Sequence, residues 1–416
     1  MKRITILLIL IFNSVFSQDY YFEKYNPFNG EIKSPEQFLG YPIGDMHTRH
    51  DLIVSYLEYL SEASDRAQIY HYGKTYEGRK LVILAVSTPD KILDIENIRD
   101  THLSYIHTDH PKYKNESKPD DFPVIINLAY NVHGNEPSSS EAALLSAYTL
   151  VSSESDEINK YLNESIVLID PTINPDGRDR HTHWANTYKG SPLVDDPQDA
   201  EHNEYWPGGR TNHYWFDLNR DWLLAIHPES RGKLNWYHTW YPNVTTDFHE
   251  MGSNSTYFFP PFKVNGSMDP VIPKENYDYF NFLFGSYYAK ALDEIGTLYF
   301  TREVFDRTYP GYGSSYPDYL GGIGILFEQA SSRGHKQKTQ FGEITFPYTI
   351  RNQYISGITT VKAAVENKES LKEYQQNFFK SALSESSANR VKGYSFKINE
   401  DKNKTKAFLD KLLMHR

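Results

Sequence analysis

Hydrophobic and polar positions along the chain form short apolar runs set between longer stretches of mixed character. Residues 124–128 read Val-Ile-Ile-Asn-Leu, the pattern of a strand buried on both faces. Runs of the same kind stand at 166–169, 244–248 and 324–327. Over 138–152, Ala142, Leu145, Tyr148 and Leu150 interleave with small residues, as a packed helix requires. Upstream, 47–63 predicts a helix. Two β-rich runs, 68–71 and 81–87, are joined by the glycine-bounded segment Gly73-Lys74-Thr75-Tyr76-Glu77-Gly78-Arg79, which predicts a hairpin. Strands alternating with helices predict an α/β three-layer sandwich around a mixed, mostly parallel central sheet.

The two ends differ from this body. Lys2 and Arg3 precede an apolar run over 4–12, and Val15-Phe16-Ser17 follows before Gln18. A basic start, a short apolar stretch and a small residue at its end describe a cleavable secretory signal over 1–17, cut after Ser17. The run is short of the roughly 20 residues a membrane span wants. The expectation is a periplasmic or secreted protein with no stable membrane span. Residues 90–121 are charged and predict a surface helix and loop. After about residue 361 Lys and Glu rise, predicting a polar helix to about 383, then a strand at 393–398 and a helix at 401–413. This divides the chain into a catalytic unit, 18–360, and a C-terminal part, 361–416. The latter either packs on the main body or opens a further, incomplete domain.

Composition narrows the chemistry. Of 416 residues, 39% are hydrophobic and 23% charged, enough for a packed core. Lys and Arg number 43 against 54 Asp and Glu, a formal charge of −11, which argues against nucleic acid as a partner. There is no Cys, which removes disulfides, thiolate zinc sites and cysteine nucleophiles together. A metal must therefore be held by His, Asp or Glu, and 16 His are present. Aromatic residues reach 15%. They are read as rings shared between core and surface, with an aromatic-lined substrate groove as the alternative.

Four short motifs carry candidate chemistry. His133-Gly134-Asn135-Glu136 follows the first buried run directly, and Asp247-Phe248-His249-Glu250 ends another. Ligand sites in open α/β sheets lie beyond the carboxyl ends of strands, where both pieces fall. His133, Glu136 and His249 would make a His₂Glu set with one position left for water, the pattern of catalytic zinc. His249-Glu250 does not begin a helical H-E-x-x-H signature, because residue 253 is Ser. Gly209-Arg210 and Asp217-Leu218-Asn219-Arg220-Asp221 add guanidinium groups suited to an anionic group, with surface salt bridging as the alternative. Glu328 ends the last apolar run, either a stranded edge residue or a base whose pKa partial burial would raise. His181, His183, His202 and His213 lie in a long insertion. They are read as loop histidines, with a second metal site as the alternative.

In this order the motifs resemble those of the zinc metallocarboxypeptidases, over about 41–354. The chain is most similar to the regulatory branch of carboxypeptidases N, D and E, as a secreted bacterial member. That branch shows H-G-N-E, an N-P-D-G turn, and a G-R segment nine residues ahead of the Asn of D-L-N-R. Here these are His133–Glu136, Asn174–Gly177, Gly209-Arg210 and Asp217–Arg220, with an early E-G-R at Glu77–Arg79. The resemblance implies one Zn²⁺ held by His133, Glu136 and His249, with Asp217 orienting His133. It further implies Glu328 as general base, Arg210 facing the developing oxyanion, and Asn219 and Arg220 gripping the terminal carboxylate of peptide or protein C-termini. The family's mobile Tyr would come from 309–316, with Tyr309 favoured. Asp318 would either select basic side chains or stand as a loop carboxylate. The implied activity is zinc-dependent removal of C-terminal residues. A same-fold amidohydrolase acting on cell-wall peptides or acylated amino acids is the alternative, and a catalytically inactive peptide-binding relative the third.

Overall fold

The computed structural model describes residues 20–107, 122–397 and 401–415; the expected signal segment and residues 108–121 lie outside them. The predicted hairpin forms one edge of the central sheet. It pairs β1 (Ala67–Lys74) with β2 (Lys80–Val86) in antiparallel register. The four apolar runs become β3 (Val124–Ala129), β4 (Ser165–Asp170), β5 (Val244–Met251) and β8 (Ile323–Ala330). Two short strands, β6 (Tyr257–Phe258) and β7 (Tyr299–Phe300), complete eight strands in the order β1-β2-β4-β3-β5-β8-β6-β7. The central β4-β3-β5-β8 set is parallel, and β2–β4 and β8–β6 are antiparallel.

Alternation along each strand divides the core between the two faces. Val82, Leu84, Ile126 and Leu128 pack with the helices His50–Ala63, Ser138–Ser152 and Phe346–Glu366. Ile83, Ala85, Ile125 and Leu168 pack with Ile95, Trp236 and Trp240 of Ile95–Ile106 and Pro228–Trp240 on the other face. The result is the expected sandwich.

Three stretches depart from the sequence reading. The first helix begins at His50, not at 47. Thr48 is drawn off instead, its N–H and hydroxyl donating to buried Glu141 at 2.6 and 2.8 Å. The change of character at 361 falls inside the helix Phe346–Glu366, where Val361, Ala363 and Ala364 are fully buried. A second helix, Lys368–Ala388, follows and sends Leu371 and Tyr374 into the same core. Residues 393–397 form no strand and are exposed. The terminal helix Lys402–Met414 docks on the main body, with Lys411 donating to Ala225 O at 2.7 Å and His415 bonding Leu223 O at 2.7 Å.

Candidate metal centre

The strands β3, β5 and β8 are neighbours, and their carboxyl ends meet on one rim of the sheet. β3 leads into the turn that carries His133 and Glu136, while β5 carries His249 opposite Glu328 of β8 in the parallel register. The turn after β3 is held by Asn131, whose amide donates to His133 O and Glu136 O, both at 2.9 Å. Three motif glycines then stack. A Cβ on Gly134 would meet Arg178 N at 2.1 Å, and one on Gly177 would meet Gly209 O at 2.3 Å. H-G-N-E, N-P-D-G and G-R therefore occur together because their backbones press on one another, where only glycine leaves room. Asn174 ties the same group together, accepting from Gly177 N at 3.0 Å and donating to Arg210 O at 3.1 Å. Thr75 and Arg79 of the early turn bond Asp176 at 2.7 and 2.8 Å.

His133 Nδ1 lies 2.9 Å from Glu136 Oε1, His249 Nδ1 lies 3.0 Å from Glu136 Oε2, and the two Nδ1 atoms are 3.1 Å apart. Two nitrogens bound tetrahedrally at about 2.0–2.1 Å from zinc sit roughly 3.3 Å apart, so the spacing suits the ion. The opposite ring nitrogens are both held by carboxylates. His133 Nε2 is 2.9 Å from Asp217 Oδ1, and His249 Nε2 is 2.9 Å from Asp247 Oδ1. Such partners keep the proton on Nε2 and leave the Nδ1 lone pair facing the metal position. All three ligand residues are buried. Among the described residues they are the one group of three such side chains whose donor atoms gather within 4.8 Å.

The electrostatics follow from burial and close pairing. Burial opposes charge on both imidazoles, but Glu136, Asp217 and Asp247 outweigh it and raise both pKa values. Burial also works against the Glu136 and Asp217 carboxylates, yet the facing imidazoles hold both well below the usual range. Among the described residues Glu328 has no hydrogen-bonded imidazole of this kind. Burial pushes it up to about 8, with His249 opposing the shift and Glu136 adding to it.

A cavity of about 360 Å³ opens beside this group. It is lined by the three ligand residues with Glu328, Arg210, Asn219 and Arg220, and by Met251, Val304, Phe305, Leu326 and Tyr312. Arg210 leans over the ligand set, with Nη1 3.3 Å from Glu136 Oε1 and Nη2 2.8 Å from Asp217 Oδ2. Arg220 is exposed and rests on the Tyr312 ring, 4.6 Å from its centre. Asn219 is engaged more deeply than its motif suggests. Its amide nitrogen lies 2.9 Å from His249 Nε2 and 3.2 Å from Asp247 Oδ2, and its oxygen accepts from Gly313 N.

Tyr309 does not line the cavity; its hydroxyl donates to Arg220 O at 3.1 Å. Asp318 lies in the short helical turn Tyr316–Leu320 and does not line the cavity. It is fully buried, 3.0 Å from Arg307 Nη1, and accepts from Gly324 N and Asn276 Nδ2. The insertion histidines scatter: His183 and His213 are exposed, and His181 and His202 are buried apart from the centre. Glu250, which also lines the cavity, had no role in the sequence reading. Its carboxylate takes Ser138 N at 2.7 Å and its N–H donates to Glu136 Oε2 at 3.0 Å.

The sequence model of the family described as zinc carboxypeptidase matches residues 53–258. These residues form a zinc carboxypeptidase domain. A carboxypeptidase E of Caenorhabditis elegans is 28% identical over 181 residues, which span 43% of this chain and 30% of that relative. The fold matches a metallo-carboxypeptidase from Burkholderia cenocepacia with a TM-score of 0.50 and 14% identity. That match covers 76% of this chain and 68% of the other. Family members of this kind are zinc-dependent, and His133, Glu136 and His249 supply the matching donor set. No helix among the described residues is long and apolar enough to cross a membrane.

Proposed function

We propose that the chain is a secreted carboxypeptidase that binds one zinc ion through His133, Glu136 and His249 and hydrolyses the last peptide bond of its substrate. One observation carries the reading: a three-donor metal set, a half-buried carboxylate with no ion-pair partner among the described residues, and two guanidinium groups line a single cavity. Zinc supplies Lewis acidity there, bringing water toward a neutral pKa. Glu328 takes the proton from the attacking water and returns it to the leaving amine, a role its raised pKa suits. Arg210 stands where negative charge develops on the scissile oxygen. Donors so placed are worth about 3 kcal/mol.

Arg220, exposed and resting on Tyr312, receives the terminal carboxylate, and Asn219 anchors the loop beneath it. Met251, Val304, Phe305 and Leu326 favour an apolar terminal side chain. Asp306 at the same wall is paired with Lys263 at 2.9 Å, and Asp318 is consumed by Arg307. The test is release of amino acids from blocked dipeptides ending in Leu, Phe, Lys or Arg, with and without chelator. Zinc-dependent release of Leu and Phe supports the reading, and C-terminal amidation should remove most of the rate. Activity that survives both chelation and Glu328→Gln would overturn it.

A further inference from the structure

Two loops carry Arg220 and Tyr312, and they are laced together beside the cavity. Asn219 Oδ1 accepts from Gly313 N at 2.7 Å, Trp222 N donates to Gly311 O at 3.3 Å, and the Tyr309 hydroxyl donates to Arg220 O. Past Trp222 the first loop doubles back. Asp221 accepts from Ile226 N and His227 N, both at 3.0 Å. Ala225 stands there at a φ of +45°, in the left-handed region that residues other than glycine seldom enter. The terminal helix Lys402–Met414 closes over this turn. Lys411 donates to Ala225 O, and Met414 packs against the cluster of Trp222, Ala225 and Tyr316. His415 then touches both loops at once. Its Nε2 lies 2.7 Å from Leu223 O and its Nδ1 2.8 Å from the Tyr316 hydroxyl. A carbonyl only accepts, so Nε2 carries the proton and Nδ1 accepts from Tyr316. The Tyr316 oxygen accepts in turn from His238 Nε2 at 2.8 Å. Tyr316 N donates to Tyr312 O at 2.9 Å, which joins this chain of bonds to the ring on which Arg220 rests.

We propose that His415 is a positioning residue for recognition of the substrate's terminal carboxylate: by bridging Leu223 and Tyr316 it fixes the loop of Arg220 against the loop of Tyr312. The proposal rests on the carboxypeptidase reading, in which Arg220 receives that carboxylate. Arg220 needs such support. Its Nη1 donates to Asn219 O at 2.9 Å, its guanidinium lies over the Tyr312 ring, and Asp217 Oδ2 is 3.9 Å away. An exposed arginine that must be ordered as the ligand arrives binds less tightly than one already in place. A ring held in position beneath it removes part of that cost. The zinc ligands and Glu328 stand on the sheet rim, which His415 does not touch. Loosening the bridge should therefore weaken substrate binding and leave the chemical step alone.

The test uses the zinc-loaded full chain with two variants. His415→Phe keeps a ring and removes both bonds, and Tyr316→Phe removes the hydroxyl alone. On a blocked dipeptide ending in Phe, each variant should raise KM about fivefold, the worth of a hydrogen bond, with kcat and zinc content unchanged. In the Glu328→Gln background, calorimetry should show the free-acid dipeptide binding about fivefold more weakly once His415→Phe is added. The weaker binding of its C-terminal amide should not change. In an Arg220→Ala background, His415→Phe should add nothing, as two residues acting through one contact require. An unchanged KM in both variants, a loss of kcat or zinc at constant KM, or equal weakening of acid and amide would overturn the proposal. A wild-type chain that binds acid and amide alike would sink the carboxypeptidase reading and the bridge with it. A wild-type preference for the acid that survives undiminished in His415→Phe would sink the bridge alone.

Discussion

Two groups of buried histidines stand out among the described residues, and of the two only the first gathers three donor atoms within 4.8 Å of one another. In the first, Asp217 and Asp247 seize the Nε2 atoms of His133 and His249, turning both Nδ1 atoms onto Glu136. In the second, His47 meets His181 and His335 edge to face, with ring centres 5.3 and 4.8 Å away at 79° and 90°. His47 is stacked on Phe346 at 4.0 Å. Among the described residues, neither of its ring nitrogens has a hydrogen-bond partner, nor does His335 Nε2. The rings are as close as in the first group, whose centres are 4.8 Å apart. What differs is where the carboxylates stand: Glu136 faces both rings of the first group, whereas in the second Glu201 and Glu204 each pair with a single ring, His335 at 2.6 Å and His181 at 3.5 Å.

The sharpest way to break this comparison is to remove a ligand. His249→Ala should take bound zinc from one ion per chain to near none by elemental analysis, and peptide hydrolysis should vanish with it. His181→Gln should leave the zinc content untouched. Loss of zinc in the second variant, or retention in the first, would reverse the assignment. Next in size, Glu328→Gln should keep its zinc and lower kcat by about 10² to 10⁴-fold, the usual contribution of a general base.

Smaller, and aimed at the contrast itself, are the carboxylates behind the rings. Asp247→Asn and Asp217→Asn should each weaken zinc binding by about 10 to 100-fold in a competition titration with a chelating dye. Unchanged affinity in both would mean that ring orientation is fixed by packing alone.

Much of this was legible before the fold. The buried runs announce β3, β4, β5 and β8, and strand-end placement brings His133, His249 and Glu328 to one rim. Asp247 could have been found too, since alternation along β5 puts residues 247 and 249 on the same face. Asp318 could not, because its partner Arg307 arrives from a separate loop and only burial shows that the two neutralise each other. Tyr309 and Tyr312 differ by which ring turns under Arg220, a choice made by loop packing that no spacing encodes. The alternation in Tyr394, Phe396 and their polar neighbours reads as a strand, but a strand needs an edge to pair with, and that is a property of the sheet.

The smallest expected effect concerns the second group in acid. Burial holds His47 well below its ordinary 6.5, and His335, His181, Arg178 and Lys189 add to the shift. His102, bonded to Tyr241 O, is likewise lowered by burial to about 4. A depressed histidine means that the unfolded chain takes up a proton which the native chain refuses. Above about pH 6.5 both states are neutral and the group adds no pH dependence. Below it, folding loses up to about 1.4 kcal/mol per pH unit for each such histidine, until the native pKa is reached. Urea unfolding at pH 7.5 and pH 5.5 should therefore show wild type weakening in acid. His47→Gln should flatten that slope by about one proton's worth while leaving zinc content alone. An unchanged slope would mean that His47 is protonated in the native fold.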